Sequence, residues 1–358
     1  MYNIKITKAD NTRFDSINWD NLGFGQYFSD HMYLSEYKDG KWNDGEIMPY
    51  GPLPMEPSTC ALHYGQSIFE GLKAYRRADG NVNLFRPDKN ARRLNHSGSR
   101  VVIPPFDENL FIEALKELVK IDQKFVPNKR GTSLYIRPVV FGDGAFLGVH
   151  ASKTYKHIIM TSPVASYYPE GLAPVKILVD KDNVRAVRGG LGTAKTAGNY
   201  AASLLGSETA KRQGYSQVLW LDAISRHFVD EVGAMNIMFY INHELVTPPL
   251  GSGSILEGVT RDTVIRLAHE FGIPVNERPI TVEEVFEANE RGELQEIFGT
   301  GTAAVISPVG QLSYDGKQIL VNDMKIGPLA QKFYDTITGI QYGELEDKFG
   351  WTIKVDIE

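Results

Sequence analysis

Between Gly189 and Gly198 the chain runs Gly189-Gly190-Leu191-Gly192-Thr193-Ala194-Lys195-Thr196-Ala197-Gly198, a stretch that no regular element absorbs whole. Glycine loses more freedom on ordering than any other residue, so such a run is kept where backbone must turn tightly or approach something closely. On one side lies Val175-Lys176-Ile177-Leu178-Val179, which reads as a strand. On the other, Tyr200 to Gln213 reads as a helix closed by Gly214. Lys195 is the only charged residue between Gly189 and Ser207, and its small neighbours leave room for a ligand.

Two chemistries compete for this segment, beside the plain reading of a solvated loop lysine. Gly189 to Thr196 nearly spells a phosphate-binding P-loop, with Val218-Leu219-Trp220-Leu221-Asp222 as its metal-binding strand, but Ala194 stands where the second glycine belongs. The preceding Asn183-Val184-Arg185-Ala186-Val187-Arg188 is also too charged for a buried parallel strand, and Gly198 would weaken the first turns of the following helix. The other chemistry is a lysine nucleophile. With no carboxylate near it in sequence and partial desolvation, its neutral amine is favoured for attack on an aldehyde.

Composition narrows the class. Lys and Arg number 38 against 44 Asp and Glu, a formal charge of −6, which argues against nucleic-acid binding. Cys60 is the single cysteine, so neither an intrachain disulfide nor a cysteine-built metal site is expected. Met1 to Arg13 lacks the apolar core of a signal peptide. No run approaches the ~18 apolar residues of a membrane span, and a reducing cytoplasm is the expected setting.

A length of 358 residues suggests two domains. The composition changes at Tyr167-Tyr168-Pro169-Glu170-Gly171-Leu172-Ala173-Pro174, giving a domain over 1–168, a linker over 169–175 and a larger domain over 176–358. In the first, Tyr27 to Leu34 reads as a strand. Leu72 to Tyr75 and Val82 to Phe85 form a hairpin about Gly80-Asn81, and Thr132 to Arg137 is a strand stopped by Pro138. Helices are expected from Asp88 to Arg100 and, headed by Asp107, along Leu110, Phe111, Ala114, Leu115, Leu118 and Val119. In the second domain Met235 to Ile241 is a strand, Arg261 to Phe271 a helix, and Phe298-Gly299-Thr300-Gly301-Thr302-Ala303-Ala304 a second small-residue loop. The class is α+β with a mixed second sheet.

Other residues carry chemical meaning. Glu231 is an acid between apolar stretches. Buried, it needs a cation, and a pyridinium nitrogen is one; the alternative is an exposed strand end. Thr260 opens a helix whose amino end suits a phosphate, or merely caps it, and Arg93 offers a guanidinium for the same group. Tyr135 and Arg137 share one strand face, fit for a pocket taking an apolar or a carboxylate side chain, or else for a solvent-facing edge.

Taken together these pieces resemble the branched-chain-amino-acid aminotransferases, fold-type IV pyridoxal-phosphate enzymes. The matching strings fall in order along nearly the whole chain: Phe28-Ser29-Asp30-His31-Met32; Leu62-His63-Tyr64 with Phe69-Glu70-Gly71-Leu72-Lys73-Ala74; Leu84-Phe85-Arg86-Pro87; Tyr135-Ile136-Arg137-Pro138; Leu147-Gly148-Val149; Lys195 with Gly198-Asn199-Tyr200; Glu231-Val232-Gly233-Ala234-Met235-Asn236; Thr247-Pro248-Pro249; Leu256-Glu257-Gly258-Val259-Thr260-Arg261; and Phe298-Gly299-Thr300-Gly301-Thr302-Ala303. They decide against the P-loop.

The resemblance implies a two-domain, D-amino-acid aminotransferase-like fold, a homodimer, and pyridoxal 5'-phosphate joined to Lys195. It implies that Glu231 pairs the pyridine nitrogen, that Tyr200 bonds the ring oxygen, and that Arg93, Val259, Thr260 and Thr302 bind the phosphate. Phe28, Phe69, Tyr135, Tyr167 and Ala303 would line the substrate pocket, with Tyr64, Leu147 and Val149 from the other subunit and Arg137 receiving the distal carboxylate of glutamate. The implied reaction exchanges the amino group of leucine, isoleucine or valine with 2-oxoglutarate. Two departures are visible. Ala234 stands where some members have threonine, and Ala304 and Ser307 occupy the places of a mammalian C-x-x-C redox pair, which excludes that control here. A sister activity on the same fold (a D-amino-acid aminotransferase or an aminodeoxychorismate lyase) and a non-catalytic binding protein are the competing readings.

Overall fold

A computed structural model describes residues 2–165 and 172–357; Tyr167 and residues 169–171 of the expected linker lie outside the described residues. The chain divides into two units. The first comprises Met1–Pro169, Ala194–Ala197 and Gly339–Glu358, the second Glu170–Thr193 and Gly198–Thr338.

In the first unit the helices Pro87–Arg100 and Glu108–Ile121 cover a sheet of 10 strands, almost all antiparallel. The second helix forms where the spacing of apolar residues expects it. Its Asp107 cap accepts from the N–H groups of Asn109 and Leu110 at 2.8 and 3.3 Å, satisfying two donors that the helix leaves open. Its buried stripe, Phe111, Ala114, Leu115 and Leu118, packs with Leu72 and Ala74 of one strand and Leu134 and Ile136 of another. Side chains alternate across a sheet. Lys73, Tyr135 and Arg137, interleaved with those core residues, therefore stand on the opposite face.

The strand expected to stop at Pro138 instead runs Ser133–Gly142. Its neighbour on one side is broken between Ser67–Phe69 and Leu72–Arg76. Pro138 faces that break, where its carbonyl accepts from Glu70 N–H at 2.8 Å, so its missing donor costs no ladder bond. The strand expected over Tyr27 to Leu34 lies at His31–Lys38. Before it, Ser29 N–H is taken by the Thr161 carbonyl and the Asp30 carboxylate accepts from Arg13 N–H.

The second unit is built on a mixed sheet of 9 strands, in which Val175–Asp180 lies parallel to both of its neighbours. The helix Ala197–Arg212 starts before the expected Tyr200 and takes Gly198 into its first turn. Gly206 on it lies against the buried Trp220 ring, where a Cβ would come within 2.7 Å. The helix of the next segment also starts early, at Val259 rather than Arg261. The small-residue segment Phe298–Gly301 is not loop but the end of the strand Leu294–Gly301, paired to Asn236–Ile241 and Val305–Tyr314. Glycine is needed there because Met235 covers it: a Cβ on Gly299 or Gly301 would approach that side chain to 2.9 Å. No helix of the described residues is long and apolar enough to cross a membrane.

The helix layer of the first unit rests on Phe111, which is 1% exposed. Phe111→Ala is expected to cost about 3–5 kcal/mol. Urea unfolding checks this, and a loss under about 1 kcal/mol would mean that the site collapses around the missing ring.

Candidate active site

In the first unit Lys195 is held by its own backbone. Its N–H donates to Ser97 Oγ at 2.8 Å, its carbonyl accepts from Phe69 N–H at 3.0 Å, and Thr196 bridges Ile68. Three contacts to a strand and a helix hold a segment that sequence alone reads as a flexible loop. Nζ stands 4.8 Å from the centre of the Phe69 ring.

The same ring carries a second cation. The Arg137 guanidinium lies 4.7 Å from its centre, and Arg137 Nη2 donates to the Tyr135 hydroxyl at 2.9 Å. Phe24, which sequence reasoning did not single out, packs on Tyr135 with centroids 4.9 Å apart. Gly71 makes room for that phenol, since a Cβ there would overlap the Tyr135 hydroxyl. The fold thus gathers an amine, an apolar ring, a phenol and a guanidinium about Phe69. Lys73, opposite Tyr135 on the neighbouring strand, adds a buried amine whose pKa burial lowers to about 7. Its one sequence signal is a charge inside an apolar run.

Arg93 is anchored from below. Its Nε and Nη2 donate to the two oxygens of Glu70 at 2.7 and 2.8 Å, and Asn90 Nδ2 adds a third bond at 2.7 Å. Burial by itself would push the Glu70 carboxyl up. The charges of Arg93 and Lys195 and the bonds from Arg93 and Asn90 outweigh it and hold the group below the ordinary carboxylate range. Sequence reasoning gave Glu70 no role of its own and saw no acid near Lys195. The fold supplies one from a distant strand end.

Phe28 is half-buried and stacks on Tyr50 at 4.8 Å. Tyr64, Leu147 and Val149 form an exposed group in which the Tyr64 hydroxyl donates to the Leu147 carbonyl; Leu147 and Val149 are 69% and 84% exposed.

In the second unit Glu231 is buried on the strand Val229–Val232 and lines a small cavity with Arg185, Tyr200, Ala234 and Leu256. Its Oε1 accepts from Asn236 Nδ2 at 3.0 Å and Leu256 N–H at 3.4 Å, and Oε2 pairs with Arg185. The exposed strand-end reading of Glu231 is thereby replaced by a buried acid held by several partners. The helix Val259–Glu270 begins at Gly258 with no side-chain cap, and Thr260 is buried in its first turn. A Cβ on Gly258 would overlap Asn236 Oδ1, so glycine lets this helix end approach the Glu231 strand. Thr302 and Ala303 form the turn between Leu294–Gly301 and Val305–Tyr314. Val305 closes it at φ 64°, a left-handed conformation that costs a β-branched residue on the order of 1–3 kcal/mol.

Glu70→Gln would leave Arg93 buried without its counter-charge, at an expected cost of about 3–5 kcal/mol. Because folding lowers the Glu70 pKa, its contribution is complete above the unfolded value and disappears as pH falls through the folded one. Urea unfolding across the acid range should show a steeper loss of stability for the parent chain than for Glu70→Gln; identical acid limbs would remove Glu70 from the account.

A family model for class IV amino-transferases matches residues 67–312. The branched-chain-amino-acid transaminase 1 of Bacillus subtilis is 55% identical over 336 residues, 93% of this chain and 94% of that one. Among solved structures, the branched-chain amino acid aminotransferase of Escherichia coli superposes with a TM-score of 0.75 at 29% identity, covering 91% of this chain and 99% of that one. A second branched-chain amino acid aminotransferase, from T.th. and complexed with N-(5'-phosphopyridoxyl)-L-glutamate, gives 0.73 at 25% identity, covering 91% and 98%. With the family model spanning more than half of the chain and likeness of this degree over nearly all of it, the chain belongs to the class IV aminotransferases, in the branched-chain-amino-acid aminotransferase family.

Proposed function

We propose that this chain transfers the amino group of L-leucine, L-isoleucine and L-valine to 2-oxoglutarate and back, with pyridoxal 5'-phosphate held at Lys195. The observation that carries the reading is the cluster about Phe69: a lysine amine and a guanidinium stand over one apolar ring, with a phenol beside the second. Apolar surface suits a branched aliphatic side chain, and Arg137 suits the distal carboxylate of glutamate. One pocket must take both in turn.

Each unit, taken by itself, carries groups of the kind that would hold the cofactor. The first supplies the Lys195 amine and a guanidinium fixed by Glu70 for a phosphate. The second supplies the Tyr200 phenol, the buried Glu231 acid for a ring nitrogen, the helix amino end at Val259 and Thr260, and the Thr302 hydroxyl. Buried hydroxyls of Thr196 in the first unit and of Thr300 and Ser307 in the second have no hydrogen-bond partner among the described residues, as expected where polar groups adjoin a ligand site.

When bound, the cofactor supplies an aldehyde that takes up the amino group and a protonated ring that draws electrons from the substrate Cα. Lys195 Nζ is the base placed to take up the Cα proton of the substrate and would return it to complete the transfer. Glu231 would hold the charge of the ring nitrogen, and Arg93 in the first unit and the Val259 helix end in the second are each suited to a phosphate. A homodimer, with Tyr64, Leu147 and Val149 reaching the partner's pocket and Phe28 and Ala303 on the pocket wall, belongs to the same proposal, as does a cytoplasmic setting; all of these rest on the family resemblance.

The test is the visible absorption of the cofactor-loaded protein. L-Leucine alone should bleach it and 2-oxoglutarate restore it; a band indifferent to leucine would move the function to a sister activity. Arg137→Ala should slow the 2-oxoglutarate half-reaction by roughly 10- to 100-fold, the worth of a charged hydrogen bond, and the leucine half-reaction much less. Equal losses in both would remove Arg137 from substrate selection.

A further inference from the structure

Arg185 belongs to Asn183-Val184-Arg185-Ala186-Val187-Arg188, a segment too charged to read as a buried parallel strand. The fold exposes Arg188 but buries Arg185 to 8% exposure. Its Nη2 donates to the Ser254 carbonyl at 2.7 Å and the Gly192 carbonyl at 3.3 Å, and its Nε side meets Glu231. A Cβ at Gly192 would overlap the Ser254 carbonyl oxygen, so glycine there lets two loops close on the guanidinium. One planar cation thus spans the 185–192 segment, the 254 segment and the Glu231 strand.

We infer that Arg185 is a positioning residue: clamped by two carbonyls, it fixes the Glu231 carboxylate and keeps it anionic, so that the proton between Glu231 and the cofactor's ring nitrogen stays on the ring. This rests on the proposed pairing of Glu231 with that nitrogen. A carboxylate buried alone either protonates or turns out to water. Asp230, next on the strand, illustrates the pressure: burial raises its carboxyl, with the Ser254 hydroxyl and Arg185 only partly opposing. Glu231 is treated differently, accepting hydrogen bonds from Asn236 and Leu256 and pairing with the charge of Arg185. Arg185 touches the carboxylate itself, so its charge favours the ionised acid more than it disfavours a charged ring. If the ring keeps its proton it remains an electron sink, and the sink is what lowers the barrier to loss of the Cα proton.

The test uses the holoenzyme reconstituted with pyridoxal phosphate labelled with 15N in the ring, read by NMR, beside single-turnover rates with L-leucine. The parent should show a protonated ring nitrogen. Arg185→Met should move that signal toward the unprotonated position and slow the leucine half-reaction on the order of tenfold at saturation, the scale on which partners of a liganding group act. Arg185→Lys keeps the charge but not the fork, so it should retain the parent signal while losing stability. If Arg185→Met lowers stability but leaves the ring signal as in the parent, the residue is a brace and the inference falls. Glu231→Gln separates the two claims: an unchanged signal there overturns the pairing of Glu231 itself, whereas a changed signal with an unresponsive Arg185→Met overturns only the role of Arg185. Should Arg185→Met fail to fold, Arg185→Gln, which removes the charge and retains a donor for a carbonyl, carries the same comparison.

Discussion

The buried pair of Glu70 and Arg93 organises the first unit around the site. Glu70 occupies the break between two short strands, and each residue about it is what the break requires. Pro138 faces it without a donor to lose, Gly71 leaves space for the Tyr135 hydroxyl, and Phe69 gives its N–H to the Lys195 carbonyl. A carboxylate placed here without a partner would be costly, and so would a guanidinium. Paired through two bonds and steadied by Asn90, they form a fixed platform whose cation is proposed to meet the phosphate.

The second unit repeats the device with the signs exchanged. There the carboxylate, Glu231, is proposed to meet the cofactor, and the guanidinium, Arg185, stands behind it. In both places the group proposed to touch the ligand is long, flexible and charged. Left to itself it would spend much side-chain entropy on being ordered at each binding event. A buried counter-charge with several hydrogen bonds orders it during folding instead, so that little remains to be organised when the ligand arrives. Such pairs are weak evidence for stability, since an apolar replacement of both members can do as well. Their value here lies in holding a charge still.

Close approach of backbone segments is the second recurring constraint. Gly192 against Ser254, Gly258 against Asn236, and Gly299 and Gly301 beneath Met235 all stand where a side chain would collide. These glycines bring loops and a helix end to Glu231 and to the turn at Thr302. They show why the small-residue segments were legible as sites of close approach, yet not as the elements they become. Gly299-Thr300-Gly301 is strand because two neighbouring strands pair with it, and that pairing is invisible in a local window.

The sequence by itself determined the α+β class, the main helices, the hairpin about Gly80, the family, and Lys195 with Glu231, Tyr200 and Arg93 as the residues to examine. Those features are local: helical spacing, turn residues, and a lysine isolated among glycines all lie within a few neighbours along the chain. Only the tertiary structure decided which charges are buried and with what. Arg185 lay in a segment too charged to read as a buried strand and is enclosed, Glu70 carried no role of its own and is the counter-charge of Arg93, and Pro138 looked like a strand end and is passed through. The reason is physical. Whether burying a charge or dropping a backbone donor is tolerable depends on the group that faces it, and that group comes from a segment far away in the chain.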